Sequence, residues 1–408
     1  MSTADRAENE KAKHHRIEFQ FPLVLVKTRS FMTLYERLGA WKTSRLFSWA
    51  ALISMPIVAG FGFYLISNTI LAFLTIPEAR EAGRKLGPQA YILLPGINPY
   101  LPILYGWIGI IIAIVVHEGA HGVIARSLGF TVRSSGLLFF LAIPVGAFVD
   151  VDEEQLESAE AKDSVRVLAA GPGANVAVAL VSLVTILIIT SGLSPLVDGL
   201  YVARVVEGMP AEDAGLLVGD VIVMIDDEPI TTVDDFTAAL EGKSPGDLVL
   251  VTVARGERWR DRISMPVKLT EYEGRPVIGV IMGEMLVEQR LRTYQKLATE
   301  TILIHFQPPT LAQVPFSETL HAFYTHPLGE HWYLLANLFF WVWFVNVNVA
   351  IFNTLPIHPL DGGQTFKHLL RYSVGRKAGE TVISRLTNAV TGVVISAIVM
   401  MIVLPYIM

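Results

Sequence analysis

Two histidines and a glutamate with metal-binding spacing lie at the end of an apolar stretch. Residues 117–121 read His-Glu-Gly-Ala-His, and residues 106–116 before them contain no charged side chain. On a helix, residues four apart share one face, so His117 and His121 can direct two imidazoles at one ion while Glu118 projects toward a water on that ion. Ionisable groups at membrane depth cost about 2.5 to 3.5 kcal/mol each, so the pattern predicts a functional, hydrolytic metal site in a membrane helix.

A third candidate ligand follows the fourth apolar stretch. Residues 353–363 read Asn-Thr-Leu-Pro-Ile-His-Pro-Leu-Asp-Gly-Gly, and the two prolines prevent a continuous helix. In this broken segment we expect Asp361 to be a metal ligand that leaves an open position for water. His358 is the alternative ligand. The chain has no cysteine, so only His, Asp and Glu are available to bind the metal.

The composition is that of a membrane protein. Of the 408 residues, 17% are charged, and the mean hydropathy is +0.48, which is unusual for a soluble globular protein. The net charge of -6 comes without a basic block interleaved with aromatic residues, which argues against nucleic-acid binding. Residues 1–16 lack the apolar core of a signal peptide, so no cleaved targeting segment is expected. Five stretches reach the ~20 mostly apolar residues that a bilayer requires: 47–76, 101–126, 165–190, 332–355 and 389–408.

One apolar run between the second and third stretches is too short to span. Residues 136–149 contain Pro144 and glycines at 136 and 146, which favours a β-hairpin at membrane depth, enclosed by protein or a water-filled cavity. If the hairpin has an open edge, an unwound substrate can pair with it as an added strand, and Phe148 is expected to help position that substrate. Residues 24–32 are also too short to span and are expected at the membrane interface.

The distribution of basic residues predicts the orientation in the cell membrane. With five spans, three basic segments fall on one side: the N-terminal stretch, the segment between the second and third spans, and the segment before the last span. That side is expected to be cytoplasmic. The N-terminus and the active-site side are then cytoplasmic, and the soluble insert after the third span lies outside.

That insert, residues 198–267, is richer in charge and alternates β-branched runs with turn residues. Residues 210–220 read Pro-Ala-Glu-Asp-Ala-Gly-Leu-Leu-Val-Gly-Asp, a pattern that resembles the PDZ domains of bacterial proteases. Such domains bind an extended peptide by strand addition, with a backbone loop that receives the carboxylate. The resemblance implies a small α+β domain for peptide C-termini, with Gly199, Leu200 and Tyr201 lining the loop. An occluded groove is the alternative.

Four features in order resemble the site-2 protease family of intramembrane zinc metalloproteases. They are the 117–121 motif, Gly-Pro-Gly-Ala-Asn at 171–175, the PDZ-like insert and the 353–363 segment. The resemblance implies a polytopic α-helical membrane protein with about five spans, a re-entrant β-hairpin and an inserted PDZ-like domain. Its expected parts are a cytoplasmic or interfacial segment (1–46), a first membrane part (47–197), the PDZ-like domain (198–267), a linker or gate (268–331) and a second membrane part (332–408).

The resemblance also implies roles for single residues. His117, His121 and Asp361 would bind Zn2+, and Glu118 would be the general base that later protonates the leaving amine. Asn353 would hold the substrate backbone near the metal, and Asn175 would brace the core and help to position substrate. The expected substrates are transmembrane helices of single-span proteins already trimmed on the outer side, as in regulated intramembrane proteolysis.

Two other functional classes stay open at this point. A non-proteolytic, zinc-containing membrane scaffold would use the same peptide-binding insert but would have no need for Glu118. A metal transporter would need a continuous polar path, and the sequence offers one ligand cluster only.

Overall fold

The computed structural model describes residues 15–140, 143–285, 287–298, 301–306, 314–318, 320–374 and 379–408. The chain divides into two compact units, the membrane unit (residues 1–183 and 339–408) and the insert unit (residues 184–338). The helices are α1 (Met32–Gly39), α2 (Lys42–Thr75), α3 (Pro77–Leu86), α4 (Ile103–Ser127), α5 (Glu153–Ser158), α6 (Ala161–Ser191), α7 (Pro210–Asp213), α8 (Val233–Leu240), α9 (Val287–Gln295), α10 (Trp332–Thr354), α11 (Asp361–Val374) and α12 (Glu380–Ile407).

The strands come mostly from two parts of the chain, one in each unit. They are β1 (His15–Gln20), β2 (Leu23–Thr28), β3 (Val132–Phe140), β4 (Ile143–Val151), β5 (Ser194–Pro195), β6 (Gly199–Val205), β7 (Val221–Ile225), β8 (Glu228–Pro229), β9 (Leu248–Arg255), β10 (Asp261–Lys268), β11 (Thr270–Tyr272), β12 (Arg275–Val277), β13 (Val280–Met285) and β14 (Tyr324–Thr325).

Five of the described helices, α2, α4, α6, α10 and α12, are long and apolar enough to cross a membrane. A helix satisfies its own backbone groups, which is why an apolar run of this length is stable in lipid. The protein is therefore a multi-pass membrane protein. All five correspond to the stretches that the sequence singled out.

A four-stranded antiparallel sheet accompanies the helices of the membrane unit. Its order is β1-β2-β3-β4, so β4 is an edge strand. The β3–β4 pair is the hairpin expected from residues 136–149, and its tip at 141–142 lies outside the described residues. Part of the segment 24–32, expected at the membrane interface, belongs to β2 (Leu23–Thr28) and pairs with β3. The sequence of a short apolar run does not show whether it forms a strand, because that depends on the segment with which it pairs.

The sheet and helices α1, α4, α5 and α6 share one apolar core. Tyr35 of α1, Ile124 of α4 and Leu168 of α6 are buried in this core, and Val149 of β4 packs against it. Each Å² of apolar surface that is buried stabilises the fold by roughly 25 cal/mol. The shared core therefore holds the hairpin against the helix that carries the His-Glu-Gly-Ala-His motif.

The insert unit contains a second sheet, of order β10-β9-β7-β6-β13, with β8 paired to β7. Leu200, Ile222 and Val251 lie in its core and are essentially inaccessible to solvent. The sheet is completed by β13, which pairs with β6. The strand that closes the sheet, β13, lies after the predicted domain boundary at Val267. Part of the predicted 268–331 linker, including 307–313, lies outside the described residues.

Candidate metal centre

Helix α4 places the two histidines of the motif side by side. Their ring centroids are 4.9 Å apart, as expected for residues one turn apart on the same face. His117 is 8% and His121 9% exposed. Burying two imidazoles is costly unless their nitrogens have partners, and Nδ1 of each histidine has one.

The outer nitrogens are held by helix α6. Nδ1 of His117 lies 2.6 Å from Oδ1 of Asn175, and Nδ1 of His121 lies 2.8 Å from the carbonyl oxygen of Val167. Both partners accept hydrogen bonds, so each Nδ1 carries the proton and donates it. Each Nε2 is then left with a lone pair, the form in which imidazole binds a metal.

Asp361 completes the cluster from the broken segment. Its Oδ2 lies 3.0 Å from Nε2 of His117 and 3.4 Å from Nε2 of His121. A Cβ at Gly362 or Gly363 would overlap the backbone of residues 354–358, so only glycine lets the start of α11 lie against the end of α10. The two glycines thus explain how Asp361 reaches α4.

The donor set of this cluster fits a divalent cation. The potential ligand atoms of His117, His121 and Asp361 all lie within 4.8 Å of one another, and no other such group occurs among the residues that the structure describes. Two imidazole lone pairs and a carboxylate oxygen repel one another when they face the same point, and a metal ion removes this repulsion. Two nitrogens and one oxygen are a typical catalytic zinc set, with one position left open.

Glycine 171 of α6 forms the wall of the cluster on one side. A Cβ there would lie 2.6 Å from Nε2 of His117 and would also overlap Nε2 of His121. Any side chain at this position would therefore occupy the space in front of both nitrogens. This gives a physical reason for glycine in the Gly-Pro-Gly-Ala-Asn segment.

Asn175 has contacts that suit the bracing role expected of it. Its side chain is completely buried, and its described partners all lie within the protein. Its Nδ2 donates to the carbonyl oxygen of Ala113 and to Oδ1 of Asn346, both at 2.9 Å, and this orients its oxygen toward His117. Asn346 was missed by the sequence analysis. The available signal was a polar residue within the apolar run of α10, which is costly unless it has a partner.

Glu118, on the same helix as the two histidines, lines an apolar cavity of about 930 Å³. The cavity is lined by α1, α2, α4 and the strands β2–β4. The backbone N–H of Val149 on β4 faces the Glu118 carboxylate. Phe148 also lines the cavity, and its ring lies over Gly136, where a Cβ would be 2.7 Å from it. The general base expected from the sequence is thus next to an edge strand.

Two other candidates are placed differently from the metal ligands. The side chain of Asn353 donates to Val349 within α10, at 3.0 Å, and the described contacts do not join it to the cluster. His358 is not a member of the described metal-binding group, and its backbone N–H donates to Thr391. The structure therefore favours Asp361 over the alternative ligand.

The predicted peptide-binding residues 199–201 lie in strand β6, which is paired on both sides. Gly199, Leu200 and Tyr201 pair with β13, and Leu200 and Tyr201 also pair with β7 on the other side. Leu200 is 0% exposed. A strand with both edges paired cannot accept a peptide by strand addition. The open edge on this side of the sheet belongs to β13.

Comparison with known proteins gives a consistent result for most of the chain. Residues 105–401 match the model of peptidase family M50. Protein MJ0971 of Methanocaldococcus jannaschii is 26% identical over 346 residues, 83% of this chain and 75% of the relative. Zinc metalloprotease Rip1 of Mycobacterium tuberculosis is 24% identical over 369 residues, 67% of this chain and 88% of the relative.

Among solved structures, the PDZ domain of the SdrC-like protein of Listeria monocytogenes is similar to part of the chain. It is 30% identical and covers 22% of this chain and 93% of that domain, with a TM-score of 0.20.

Proposed function

Because the chain belongs to peptidase family M50 and is a zinc metalloprotease, we propose that it cleaves peptide bonds within transmembrane segments of single-span proteins. The observation that carries this proposal is the cluster of His117, His121 and Asp361, with Glu118 beside it on a helix apolar enough to span the bilayer. A hydrolytic centre at membrane depth acts on bonds that are also at membrane depth.

Each residue of the cluster has one task in this proposal. His117, His121 and Asp361 hold the zinc ion, which when bound polarises the substrate carbonyl and makes water a better nucleophile. Glu118 accepts a proton from the attacking water and then donates it to the nitrogen that leaves. Asn175 and the carbonyl of Val167 keep both imidazoles in the tautomer that binds metal.

The substrate must unwind before it can be cut, because a transmembrane helix hides every peptide carbonyl in its own hydrogen bonds. We propose that the unwound segment pairs with the free edge of β4. Backbone groups alternate in direction along an antiparallel strand, and the N–H of Val149 faces Glu118. The N–H of Ala147 is therefore on the same open side, whereas that of Phe148 faces Gly136 on β3.

This geometry identifies the substitution that tests strand addition. Proline at Ala147 removes an outward N–H and keeps the β3–β4 pairing, as edge strands tolerate, whereas proline at Phe148 breaks that pairing. Ala147→Pro is expected to reduce cleavage and leave zinc content unchanged. Ala147→Ser keeps the N–H and is the matched control. Full activity of Ala147→Pro would rule out pairing at this edge.

Cleavage itself is tested with the purified full-length protein in detergent or liposomes. Single-span model substrates should be cut within their apolar segment, and a chelator should abolish this until zinc is restored. Glu118→Gln should retain zinc and lose cleavage. Glu78→Gln, at an exposed position on α3, should behave as wild type. A Glu118→Gln protein that still cuts would contradict the proposal, and one that still performs the cellular role would favour the scaffold alternative.

We further propose that the N-terminus and the active-site side are cytoplasmic and that the insert is outside the cell membrane. The support is the excess of basic residues at the matching span ends. Since the chain has no cysteine, single cysteines report on sidedness directly. An impermeant maleimide should label Glu241→Cys in intact cells and Ser158→Cys only after permeabilisation. The reverse pattern would invert the topology.

Peptide C-termini are proposed to bind at the open edge of β13. Gly279 precedes this strand with a φ of +87°, so the chain turns sharply there. A photo-crosslinker at Ile281, which is 43% exposed, should capture a peptide with a free carboxylate. The same crosslinker at Leu248 on β9 is the control. Equal capture at both positions would argue against binding at β13.

Regulated intramembrane proteolysis is the cellular process that we propose for this enzyme. Its substrates would then be single-span proteins that another protease has already trimmed on the outer side. The trimmed form of one substrate should be cut faster than its untrimmed form by the same preparation. Equal rates would remove the requirement for prior cleavage.

A further inference from the structure

Several hydroxyl groups line the cavity beside Glu118. Those of Thr28, Ser30 and Ser44 have partners within the protein. Ser44 donates to the carbonyl of Leu38 at 2.6 Å, and Thr28 donates to Ser30 at 3.0 Å. Ser135 differs. It is 3% exposed, and its Oγ completes no hydrogen bond with any described group, which is costly for a buried hydroxyl.

Tyr35 of α1 reaches the same position from the other side of the cavity. Its side chain is 7% exposed. A Cβ at Gly122 of α4 would be 3.0 Å from two of its ring carbons, so the ring lies directly on the helix backbone. Gly122 is one turn after Glu118, on the same face. One turn further along α1, a Cβ at Gly39 would lie 3.0 Å from the carbonyl oxygen of Val123 on α4. Glycines at 122 and 39 thus allow α1 to lie against α4.

Tyr35, Ser135 and Glu118 all line this cavity. Burial raises the pKa of the Tyr35 hydroxyl, and the negative charge of Glu118 raises it further. Tyr35 therefore stays protonated near neutral pH and remains a hydrogen-bond donor. Ser135 is opposite Val149 in the β3–β4 pair, and the N–H of Val149 faces Glu118. Two hydroxyls, one backbone N–H and the general base thus line one cavity.

We propose that Tyr35 and Ser135 form a polar pair that binds the backbone of the unwound substrate next to the scissile bond. The Tyr35 hydroxyl donates to a substrate carbonyl oxygen, and Ser135 Oγ accepts from a substrate N–H. An unwound peptide in an apolar cavity has lost its helical hydrogen bonds and needs such partners. This inference rests on the proposed protease function.

The pair joins two parts of the chain that are far apart in sequence. Ser135 lies within residues 105–401, which match the family model, and Tyr35 lies before them. The N-terminal segment would therefore supply a substrate-binding group of its own. Helix α1 is held in place by its packing on α4, and Tyr35→Phe keeps the ring that makes this contact.

The test measures substrate binding separately from cleavage. Tyr35→Phe, Ser135→Ala and the double variant are compared with wild type in zinc content and in the kcat and KM for a model transmembrane substrate. The same substitutions in a Glu118→Gln background give the Kd for uncut substrate. Tyr64→Phe, on the half-exposed surface of α2, is the matched control.

Each single variant should raise KM and Kd by about 2- to 10-fold, the value of one hydrogen bond, and the double variant should raise them more. Zinc content and kcat should change less than binding. Unchanged KM and Kd in the double variant would overturn the proposal, and so would loss of zinc together with binding, since that assigns the pair a structural role. A wild-type protein that cuts no substrate would refute the proposed function instead.

Discussion

Replacing Asn346 with alanine should weaken zinc binding, although this residue is not one of the three proposed ligands. Its Oδ1 accepts a hydrogen bond from Nδ2 of Asn175 at 2.9 Å, and Asn175 accepts one from His117 at 2.6 Å. All three side chains are buried. Asn346 itself is held by Val342 of its own helix at 2.8 Å. Helix α10 thus orients a ligand on α4 through one amide on α6.

The size of the effect follows from the hydrogen bond that is lost. Without Asn346, one N–H of the Asn175 amide stays buried and unsatisfied, at a cost of about 1 to 3 kcal/mol. Turning the amide relieves this cost but directs its NH2 group at the Nδ1 proton of His117, which no longer has an acceptor. Loss of such an outer partner typically costs about 10- to 100-fold in metal affinity, or about 1.4 to 2.7 kcal/mol.

The assay is competition for zinc between the full-length protein in detergent and a chromophoric chelator. Asn348→Ala is the matched control, because the described contact of its amide is a hydrogen bond to Phe344 within the same helix, at 2.7 Å. We expect the zinc Kd to rise about 10- to 100-fold in Asn346→Ala and to stay within about twofold in the control, since exposed or intrahelical changes cost little. Equal affinity in both variants would refute the relay through Asn175.

Three further predictions concern other parts of the molecule. Gly171→Ala should abolish zinc binding measured by metal analysis, because its Cβ would overlap Nε2 of both histidines, whereas Gly60→Ala, with open space around it, should bind normally. Hydrogen bonds from Thr231 and Thr232 hold the pKa of Asp235 at about 2, below its ordinary 3.8. Asp235 therefore stabilises the insert above pH 3.8, and this contribution is lost as the pH falls through about 2. Asp235→Asn should make the insert easier to proteolyse at neutral pH and flatten this pH dependence, and an unchanged digestion profile would contradict it. Removing zinc should lower the thermal midpoint of the wild type, since ligand at 100 times its Kd contributes about 2.7 kcal/mol; an equal drop in Asp361→Asn would contradict zinc binding at this site.

The features that were predictable from the sequence are local ones. The spacing of His117 and His121 on one helix face depends only on helix geometry, and the five spans depend only on the length of apolar runs. The predicted positions of the helix ends were less accurate. The last span begins at Glu380 rather than at 389, because helix α12 continues through polar turns beyond the apolar run.

The features that were missed depend on contacts between distant segments. Strand β2 is a strand because β3 pairs with it, and β13 closes the insert sheet from beyond the predicted boundary. This return of β13 also explains why residues 199–201 have no free edge. Tyr35 approaches Glu118 only because Gly122 leaves room for its ring, and spacing along the sequence carries no sign of such packing.

The central claim is that one zinc ion is held by His117, His121 and Asp361 and is required for cleavage. The most direct test is the zinc content per chain, measured by mass spectrometry on the same preparations that are assayed for cleavage, in wild type and in Asp361→Asn. We predict one zinc per chain and cleavage in the wild type, and loss of both in the variant. A wild type that cuts without zinc, or a variant that retains both zinc and cleavage, would contradict the claim.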